Sequence, residues 1–256
     1  MRNFALAAAL ALAACGQAEP PPPLSEPPQQ AAAPPWFICD AVDAPVLLVF
    51  ERDGTTARVA QYEKPSGAIV QRTEYAIGER EGAAGSLYTT LMQNGAEAGA
   101  IRQVNPGMLE TPASAYTTPF TSVRLGDRDI SCRWLPRTRL MGFTGRRTIV
   151  VSEDQDGDLL YHSYDFSGAA EAQAIEVSEN GRTTTFSLEA RDGQEQVSPN
   201  GARYTFQADS ETTILVSAEH GVGRVEVRRH GPDPVQTEDL IAYIEGGAAN
   251  LNDAGD

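Results

Sequence analysis

The sequence predicts an all-β protein, an antiparallel barrel or sandwich with one short C-terminal helix, arranged either as two small β domains or as one fused barrel pair. About a dozen short apolar or β-branched runs of strand length recur along the chain. Many are separated by glycine-containing pairs such as Asp53-Gly54 and Gly126-Asp127, which are typical of β-hairpins. Short strands at close spacing with such turns favour a sandwich or a barrel.

The first half of the chain contains six predicted strands. They cover 46–51, 56–61, 74–77, 87–92, 121–125 and 130–134. We expect the ordered fold to begin at Trp36. We also expect a long loop over 104–120, because Pro106, Pro112 and Pro119 interrupt any regular element there.

The second half repeats this pattern with seven predicted strands. They cover 147–153, 159–166, 172–178, 182–190, 202–207, 212–218 and 223–229. The pairs Asp156-Gly157 and Asn180-Gly181 predict two of the turns. This pattern predicts a β domain over 36–135 and a second β region over 136–246. A flexible tail is expected over 247–256.

Only one segment, 237–245, has the pattern of a helix. Thr237 can cap its start, Leu240, Ile241 and Ile244 share one helical face, and Gly246 can end it. No segment after the first residues approaches the 18 or so apolar residues that a membrane-spanning helix requires.

The first 14 residues have the pattern of a secretory signal peptide. Arg2 precedes an apolar run over 4–14, which is too short for a membrane span. The residues Leu12-Ala13-Ala14-Cys15 resemble the lipobox of bacterial lipoproteins. In that family a peptidase cuts before the cysteine, so the resemblance implies a mature chain that is anchored through acyl chains such as palmitate on Cys15. The alternative is an ordinary signal peptide that happens to contain a cysteine.

We expect residues 15–35, which begin with the lipidated cysteine, to form a tether. It is rich in proline, glutamine and alanine, and Leu24 is its only clearly apolar residue apart from the alanines. Such a composition cannot bury enough surface to fold and favours extended polyproline-like chain of about 3.1 Å per residue. Gly16 after the cysteine resembles the outer-membrane default, so the predicted location is the outer membrane of a bacterial envelope, facing the periplasm.

The chain is strongly acidic. Its formal charge is −15, and loss of Arg2 with the signal makes the mature charge −16. Negative charge disfavours nucleic acid as a partner, because phosphates are repelled. It favours a basic partner, although simple solubility is the plainer interpretation.

Cysteine usage predicts one disulfide bond. With Cys15 assigned to lipid, Cys39 and Cys132 remain, and an even pair in an oxidising compartment is expected to bond. Two free buried thiols are the alternative. Metal binding is disfavoured because no histidine lies near either cysteine in the sequence.

The sequence contains no motif that predicts catalysis, a metal or a cofactor. The histidines, His162, His220 and His230, lie outside every metal-binding or triad pattern. Asp154, Asp156 and Asp158 alternate around Gly157, but the glycine and glutamate of a calcium loop are lacking, so a solvated hairpin turn is favoured. We therefore predict a non-enzymatic protein without cofactor.

One cationic cluster stands out in this acidic chain. It consists of Arg133, Arg137, Arg139, Arg146 and Arg147, with Trp134 and Phe143 nearby. Arginine forks suit carboxylate or phosphate groups of a polymer such as peptidoglycan or lipopolysaccharide. The alternative is that these arginines pair with the protein's own acids.

The segment from Cys39 to Cys132 resembles the periplasmic and membrane-bound inhibitors of C-type lysozyme, which are small β-barrel lipoproteins. Phe37-Ile38-Cys39-Asp40 is similar to the family's opening, and Ala84-Gly85-Ser86-Leu87-Tyr88 is similar to its Ser-Gly-x-x-Tyr motif. Residues 91–98 are similar to the second motif, Lys-Gly-x-Glu-Ala, and Cys132 is similar to the closing cysteine.

In that family the motif serine and lysine reach into the lysozyme cleft, and this chain has Ala84 and Asn94 at the matching positions. These departures bear on inhibition more than on fold. The resemblance implies a basic protein such as a C-type lysozyme as partner. It also implies candidate partner-binding residues at Ala84, Gly85, Tyr88, Asn94 and Gly95.

The sequence thus predicts an envelope-anchored lipoprotein that acts as a non-enzymatic binding protein, with a lysozyme-inhibitor-like module whose motif is altered. The alternative is an envelope structural or assembly lipoprotein. It would bind a cell-wall or protein partner through Arg137, Arg139, Arg146 and Arg147.

Overall fold

A computed structural model describes residues 35–247, apart from 65, 110, 169–175, 179–180, 184–185 and 232–234. The prediction of an all-β fold is confirmed: two antiparallel sheets account for nearly all of the regular structure, and the described residues contain no α-helix. Within these described ranges, the helical content consists of three 3₁₀ turns, Pro106–Met108, Pro112–Ser114 and Phe166–Gly168. The first two lie in the loop predicted over 104–120.

The first sheet is a meander of eight strands that closes into a nearly complete barrel, the N-terminal barrel. Its strands are β1 (Phe37–Asp40), β2 (Val46–Asp53), β3 (Thr56–Glu63), β4 (Ile69–Ala83), β5 (Ser86–Gln93), β6 (Ala96–Val104), β7 (Phe120–Leu125) and β8 (Arg128–Ser131), each paired with the next. The seam closes just after β1 and β8, where Val42 N–H donates to the Ser131 carbonyl at 2.9 Å and Arg133 N–H donates to the Asp40 carbonyl at 2.8 Å.

The second sheet curls into a half-barrel of nine strands. They are β9 (Thr138–Phe143), β10 (Arg147–Glu153), β11 (Leu159–Asp165), β14 (Leu188–Ser198), β15 (Gly201–Gln207), β16 (Thr212–Glu219), β17 (Val222–Arg229), β18 (Val235–Asp239) and β19 (Ala242–Glu245). Their spatial order is β18-β17-β16-β15-β14-β11-β10-β9-β19. Strands β12 (Glu176–Ser178) and β13 (Gly181–Thr183) form a separate hairpin.

The predicted helix over 237–245 is wrong. The segment is extended and bent: β18 pairs with β17, and β19 pairs with β9 at the other end of the sheet. At the bend, Leu240 N–H donates to the Gly223 carbonyl at 2.9 Å and Ile241 N–H donates to the Phe143 carbonyl at 2.7 Å. Neighbouring strands therefore take the backbone donors that a helix would use internally.

The apolar spacing of this segment arises from the bend and not from a helical period. Leu240 packs into the core of the half-barrel, whereas Ala242 and Ile244, two residues apart, pack toward the N-terminal barrel. A spacing of two residues is the period of a strand. The segment bridges the two ends of the half-barrel and is called the bent segment below.

Strand β2 explains how the two sheets pack together. Every residue from Val46 to Phe50 is buried, because alternate side chains face two different cores. Leu48 and Phe50 fill the N-terminal barrel, while Leu47 and Val49 pack outward against strands of the half-barrel. The continuous apolar run in the sequence is thus the signature of a strand that is covered on both faces.

Besides the bent segment, three strands were not predicted, namely β1, β6 and β9, and one strand was predicted too short. Strand β6 reads Ala-Glu-Ala-Gly-Ala at its start, a composition with low β propensity, and it is held by its pairing with both β5 and β7. Strand β9 was also missed. Strand β4 extends over fifteen residues, most of them exposed, where only 74–77 was predicted.

Candidate functional site

A groove with a volume of about 1200 Å³ lies between the N-terminal barrel and the half-barrel. Residues of β1, β2 and β3 line one side, and the bent segment with the start of β17 lines the other. Pockets for drug-sized molecules measure roughly 300–1,000 Å³. The groove therefore has room for a segment of a larger ligand.

The groove continues the apolar interface between the two sheets. Val49 and Ala60 lie opposite each other on β2 and β3 and contribute to both the interface and the groove. On the other side of the groove, Ile244 also contributes to both the interface and the groove. Further along the groove, the apolar side chains of Val222 and Ile241 are 52% and 44% exposed. The covered interface thus passes into an accessible apolar surface.

Five aromatic residues line the groove. Phe37 and Phe120 are buried, whereas Trp36, Tyr62 and Tyr243 are partly exposed. Trp36 is held edge-on by Phe37 and Phe120, with ring centroids 5.3 Å and 5.5 Å away. Burial raises the pKa of both tyrosine hydroxyls above the ordinary value, so they remain neutral phenols at physiological pH. Fixed, neutral aromatic surfaces with a hydroxyl are suited to binding polypeptide.

Charged side chains of both signs lie around these aromatic rings: Glu51, Arg52, Arg72, Asp239 and Glu245. The Arg52 guanidinium lies 5.3 Å from the centroid of the Trp36 ring. Asp239 accepts a hydrogen bond from Arg224 Nε at 2.9 Å. This mixture of apolar, aromatic and charged groups matches a ligand that is itself mixed, as polypeptide is.

The groove also contains an open strand edge. In the sheet order, β19 is an end strand that pairs with β9. Ala242 lies opposite Phe143, and Gly246 N–H donates to the Arg139 carbonyl at 2.9 Å. Because hydrogen-bonding residues alternate along an antiparallel strand, the N–H and C=O of Tyr243 point away from β9, and Tyr243 is a lining residue of the groove. Such an edge can accept an extended peptide as an added strand.

A buried charged cluster, Asp40, Lys64 and Arg133, lies at the junction of the two sheets. Arg133 Nε donates to Asp40 Oδ2 at 2.7 Å, and Lys64 Nζ pairs with Asp40 Oδ1 and donates to the Ala41 carbonyl at 2.6 Å. The Arg133 guanidinium carbon lies 3.5 Å from the centroid of the Tyr164 ring on β11. The cluster therefore ties the barrel seam to the half-barrel.

The electrostatics of the cluster are dominated by two cations around one carboxylate. Burial alone would raise the pKa of Asp40, but Lys64 and Arg133 outweigh that effect and hold it below its ordinary value. Sequence reasoning missed this cluster. Its one signal was Lys64, the single lysine in a chain that otherwise uses arginine.

The predicted disulfide is confirmed, and the alternative of two free thiols is wrong. Cys39 and Cys132 are bonded, fully buried and 93 residues apart in sequence. They directly precede Asp40 and Arg133, so the covalent bond and the ion pair close the barrel at the same place. Cys15, the predicted lipidation site, lies outside the described residues.

The turn residues implied by the lysozyme-inhibitor resemblance lie apart; Ala84, Asn94 and Gly95 are exposed and Gly85 is half-buried. Ala84-Gly85 forms the turn between β4 and β5, and Asn94-Gly95 forms the turn between β5 and β6, all with positive φ. The eight residues of β5 separate the two turns by roughly 25 Å. Tyr88 lies between them and is 38% exposed. The structure therefore does not bring Ala84 and Asn94 into one surface.

Most of the arginine cluster is engaged within the protein. Arg133 is buried on Asp40, and Arg137 donates to the Asp154 carbonyl. Arg139 donates to Glu153 Oε1 at 2.6 Å, and Arg147 donates to Glu238 Oε1 at 3.2 Å. Arg146 is exposed and lines a second, smaller pocket of about 520 Å³ beside β18. Trp134 is buried, and its indole N–H donates to the Thr117 carbonyl at 3.2 Å.

The other polar motifs have local roles. Asp154 Oδ1 accepts from the backbone N–H groups of Asp156 and Asp158, at 2.9 and 3.0 Å, as a hairpin turn requires. His162 Nε2 lies 3.0 Å from Glu189 Oε2, and burial lowers the pKa of the imidazole, which Glu189 only partly offsets. Among the residues described, no group of three or more His, Cys, Asp or Glu side chains could hold a metal ion.

Comparison with known proteins gives no match: no family model, no curated protein and no solved structure matches the chain. Within the described ranges, no helix has the length and apolar character needed to cross a membrane.

Proposed function

We propose that the protein is a lipid-anchored, non-enzymatic binding protein of the bacterial envelope that holds an extended segment of a partner protein in the groove. The open edge of β19 inside a groove lined by Trp36, Tyr62 and Tyr243 carries this proposal. Strand addition supplies affinity through main-chain hydrogen bonds, and the flanking aromatic rings supply apolar contact.

The anchor and the location of this proposed function rest on the lipobox-like residues and on the proline-rich segment that follows them. Acyl chains on Cys15 would retain an acidic protein that anionic lipid repels, and stable anchoring needs two or more chains. The proline-rich composition of residues 15–35 is that of a spacer between such an anchor and the rest of the chain. The partner would thus lie within the periplasm and not at the lipid surface.

Photo-cross-linking in the living envelope tests the groove. Replacing Ile241 by p-benzoylphenylalanine puts the reactive group in the groove, and Val197, which is 71% exposed on β14, is the matched position elsewhere. We expect discrete cross-linked adducts with a polypeptide from position 241 and none of the same mass from position 197. Equal adduct patterns from both positions, or none from position 241, would contradict the proposal.

A second candidate function is inhibition of C-type lysozyme through the Asn94-Gly95 turn. Both residues are exposed, and the space around the Gly95 Cα is open. The net charge of −15 would steer the chain toward a basic enzyme. Because the two turns lie at opposite ends of β5, only one of them would enter a cleft at a time.

An enzyme assay tests this candidate. The full chain at micromolar concentration is expected to slow a C-type lysozyme at low salt, and Asn94→Ala is expected to weaken that effect while Asp127→Ala, in the turn between β7 and β8, leaves it unchanged. Turnover that is unaffected by the native chain at low salt would eliminate inhibition as the function.

We also propose an envelope structural or assembly role as an alternative function. In that role the groove, and not the arginine cluster, would contact the partner. Arg137, Arg139 and Arg147 are engaged with the protein's own groups, which leaves Arg146 as the cluster's exposed member. A polymer-binding surface needs several accessible cations. This arrangement therefore supports the groove more than the cluster as the point of contact.

A further inference from the structure

We propose that the groove selects extended polypeptide segments with the pattern apolar–basic–apolar, and that Tyr243 and Glu245 receive the basic side chain. This inference rests on the proposed function of the groove and names the class of partner that it would bind. The pattern follows from the alternation of side chains along β19 and from the charge on each wall of the groove.

Side chains alternate between two faces along β19. Tyr243 and Glu245 lie two residues apart and therefore on one face of the strand, and both line the groove. Ala242 and Ile244 lie on the other face and pack toward the N-terminal barrel. In a strand added along the free edge, the residue opposite Tyr243 shares its face. The two neighbours of that residue share the face of Ala242 and Ile244.

The residue opposite Tyr243 would lie within reach of both groups. Directly opposed residues in a sheet have Cβ atoms about 4.5–5.5 Å apart, and diagonal neighbours lie about 7–8 Å apart. A lysine or arginine at this position therefore reaches the Tyr243 ring directly and the Glu245 carboxylate diagonally. A cation that contacts an aromatic face beside a carboxylate gains from both contacts.

The Tyr243 ring is held in place by two glycines on neighbouring strands. A Cβ atom at Gly223 on β17 would lie 2.6 Å from Tyr243 Cδ1, and one at Gly142 on β9 would lie 2.9 Å from Tyr243 Cβ. A larger residue at either position would displace the ring. The aromatic surface is thus preformed, which reduces the entropy lost when a side chain binds to it.

The charge around this position is negative. Burial raises the pKa of the Tyr243 hydroxyl, and the charge of Glu245 raises it further. Burial likewise raises the pKa of the Tyr204 hydroxyl, and Glu195 and Glu245 add to that effect. The charge of Arg139 acts in the opposite direction but only partly offsets the two carboxylates. A positive side chain is therefore attracted to this end of β19.

The opposite wall of the groove contains arginines. Arg52 and Arg72 both line it, and the Arg52 guanidinium already lies 5.3 Å from the centroid of the Trp36 ring. At Tyr62, the charge of Arg72 acts against the effect of burial on the pKa and outweighs the opposite effect of Glu51. A basic side chain that faced this wall would meet like charge, so the two flanking residues, which face it, are expected to be apolar.

Capped seven-residue peptides test this pattern on the full chain, with Cys15→Ser. Each peptide has valine at positions 3 and 5, serine or threonine at the outer positions, and arginine, glutamine or glutamate at position 4. In a titration by calorimetry at low salt, we expect the arginine peptide to bind at least about fivefold more tightly than the glutamine peptide, and the glutamate peptide to bind most weakly. Glu245→Gln is expected to abolish this preference, because it removes the charge and keeps the shape.

Two further variants separate a local contact from a general effect of charge. Glu79→Gln removes the same charge from an exposed position on β4, away from the residues that line the groove, and is expected to keep the preference. Glu245→Arg is expected to invert it, so that the glutamate peptide binds more tightly than the arginine peptide. A purely structural role of Glu245 would not produce this inversion.

The outcomes distinguish this inference from the proposed function. Equal affinities for the three peptides, all weakened by Ile241→Arg, would overturn the inference and leave the proposed function standing. A preference lost equally in Glu79→Gln and Glu245→Gln would also overturn the inference, since net charge would then explain it. No binding of any peptide at millimolar concentration would overturn the inference and count against the proposed function as well.

Discussion

Replacing Cys39 and Cys132 by alanine is expected to lower the free energy of unfolding by about 4 to 5 kcal/mol. The two cysteines are 93 residues apart, and the chain-entropy model assigns about this value to a loop of that size. The bond joins the end of β1 to the residue after β8, so its loss also releases the barrel seam. Urea unfolding of the full chain measures the effect.

The control for this prediction is an exposed change that leaves the bond intact. Val197→Ala lies on the surface of β14 and is expected to change stability by no more than about 0.5 kcal/mol. A cysteine-free chain that unfolds within 1 kcal/mol of the native chain would show that hydrogen bonds and packing close the seam without the disulfide.

Asp40→Asn is expected to destabilise the fold by about 3 to 5 kcal/mol, because it leaves two buried cations without their carboxylate. Asp40, Lys64 and Arg133 are each at most 5% exposed, so water cannot replace the lost partner. A matched control removes all three charges together, with Asp40→Leu, Lys64→Met and Arg133→Met. This triple variant is expected to be more stable than Asp40→Asn alone, since no buried charge is left uncompensated.

The same cluster predicts the direction of the acid response. The pKa of Asp40 is lower in the folded protein than the ordinary value of 3.8. Its contribution to stability is therefore fully present above that ordinary value and is lost as the pH falls through the lowered folded pKa. The stability difference between the native chain and Asp40→Asn should shrink below about pH 4. A difference that stays constant down to pH 2 would contradict this account.

The fold class and most strands could be predicted from the sequence because β periodicity and turn chemistry are local signals. Gly54 and Gly126 adopt positive φ in the turns where Asp53-Gly54 and Gly126-Asp127 predicted hairpins. The disulfide followed from counting cysteines. Strand β6 could not be predicted, because its alanines and glycine carry little β preference and its pairing with two neighbours decides its conformation.

The bent segment and the groove lie beyond what local patterns convey. Residues 237–245 have apolar spacings that fit a helix. Their extended conformation depends on pairing with strands that are distant in sequence from each other: β18 pairs with β17, and β19 pairs with β9. Likewise, Trp36, Tyr62 and Tyr243 are far apart in sequence and meet only because two curved sheets pack side by side. The partners of the arginine cluster could not be predicted for the same reason, since the acids that pair with it come from β10, β18 and the end of β1.

The most direct test of the groove is the affinity of the native chain and two variants for the polypeptide captured by cross-linking at position 241. Ile241→Arg places a charge on the apolar wall of the groove, and Val197→Arg places the same charge on exposed β14. We expect Ile241→Arg to weaken binding at least tenfold and Val197→Arg to leave it unchanged, in a titration by calorimetry. Equal affinities for all three chains would contradict the assignment of the groove as the binding surface.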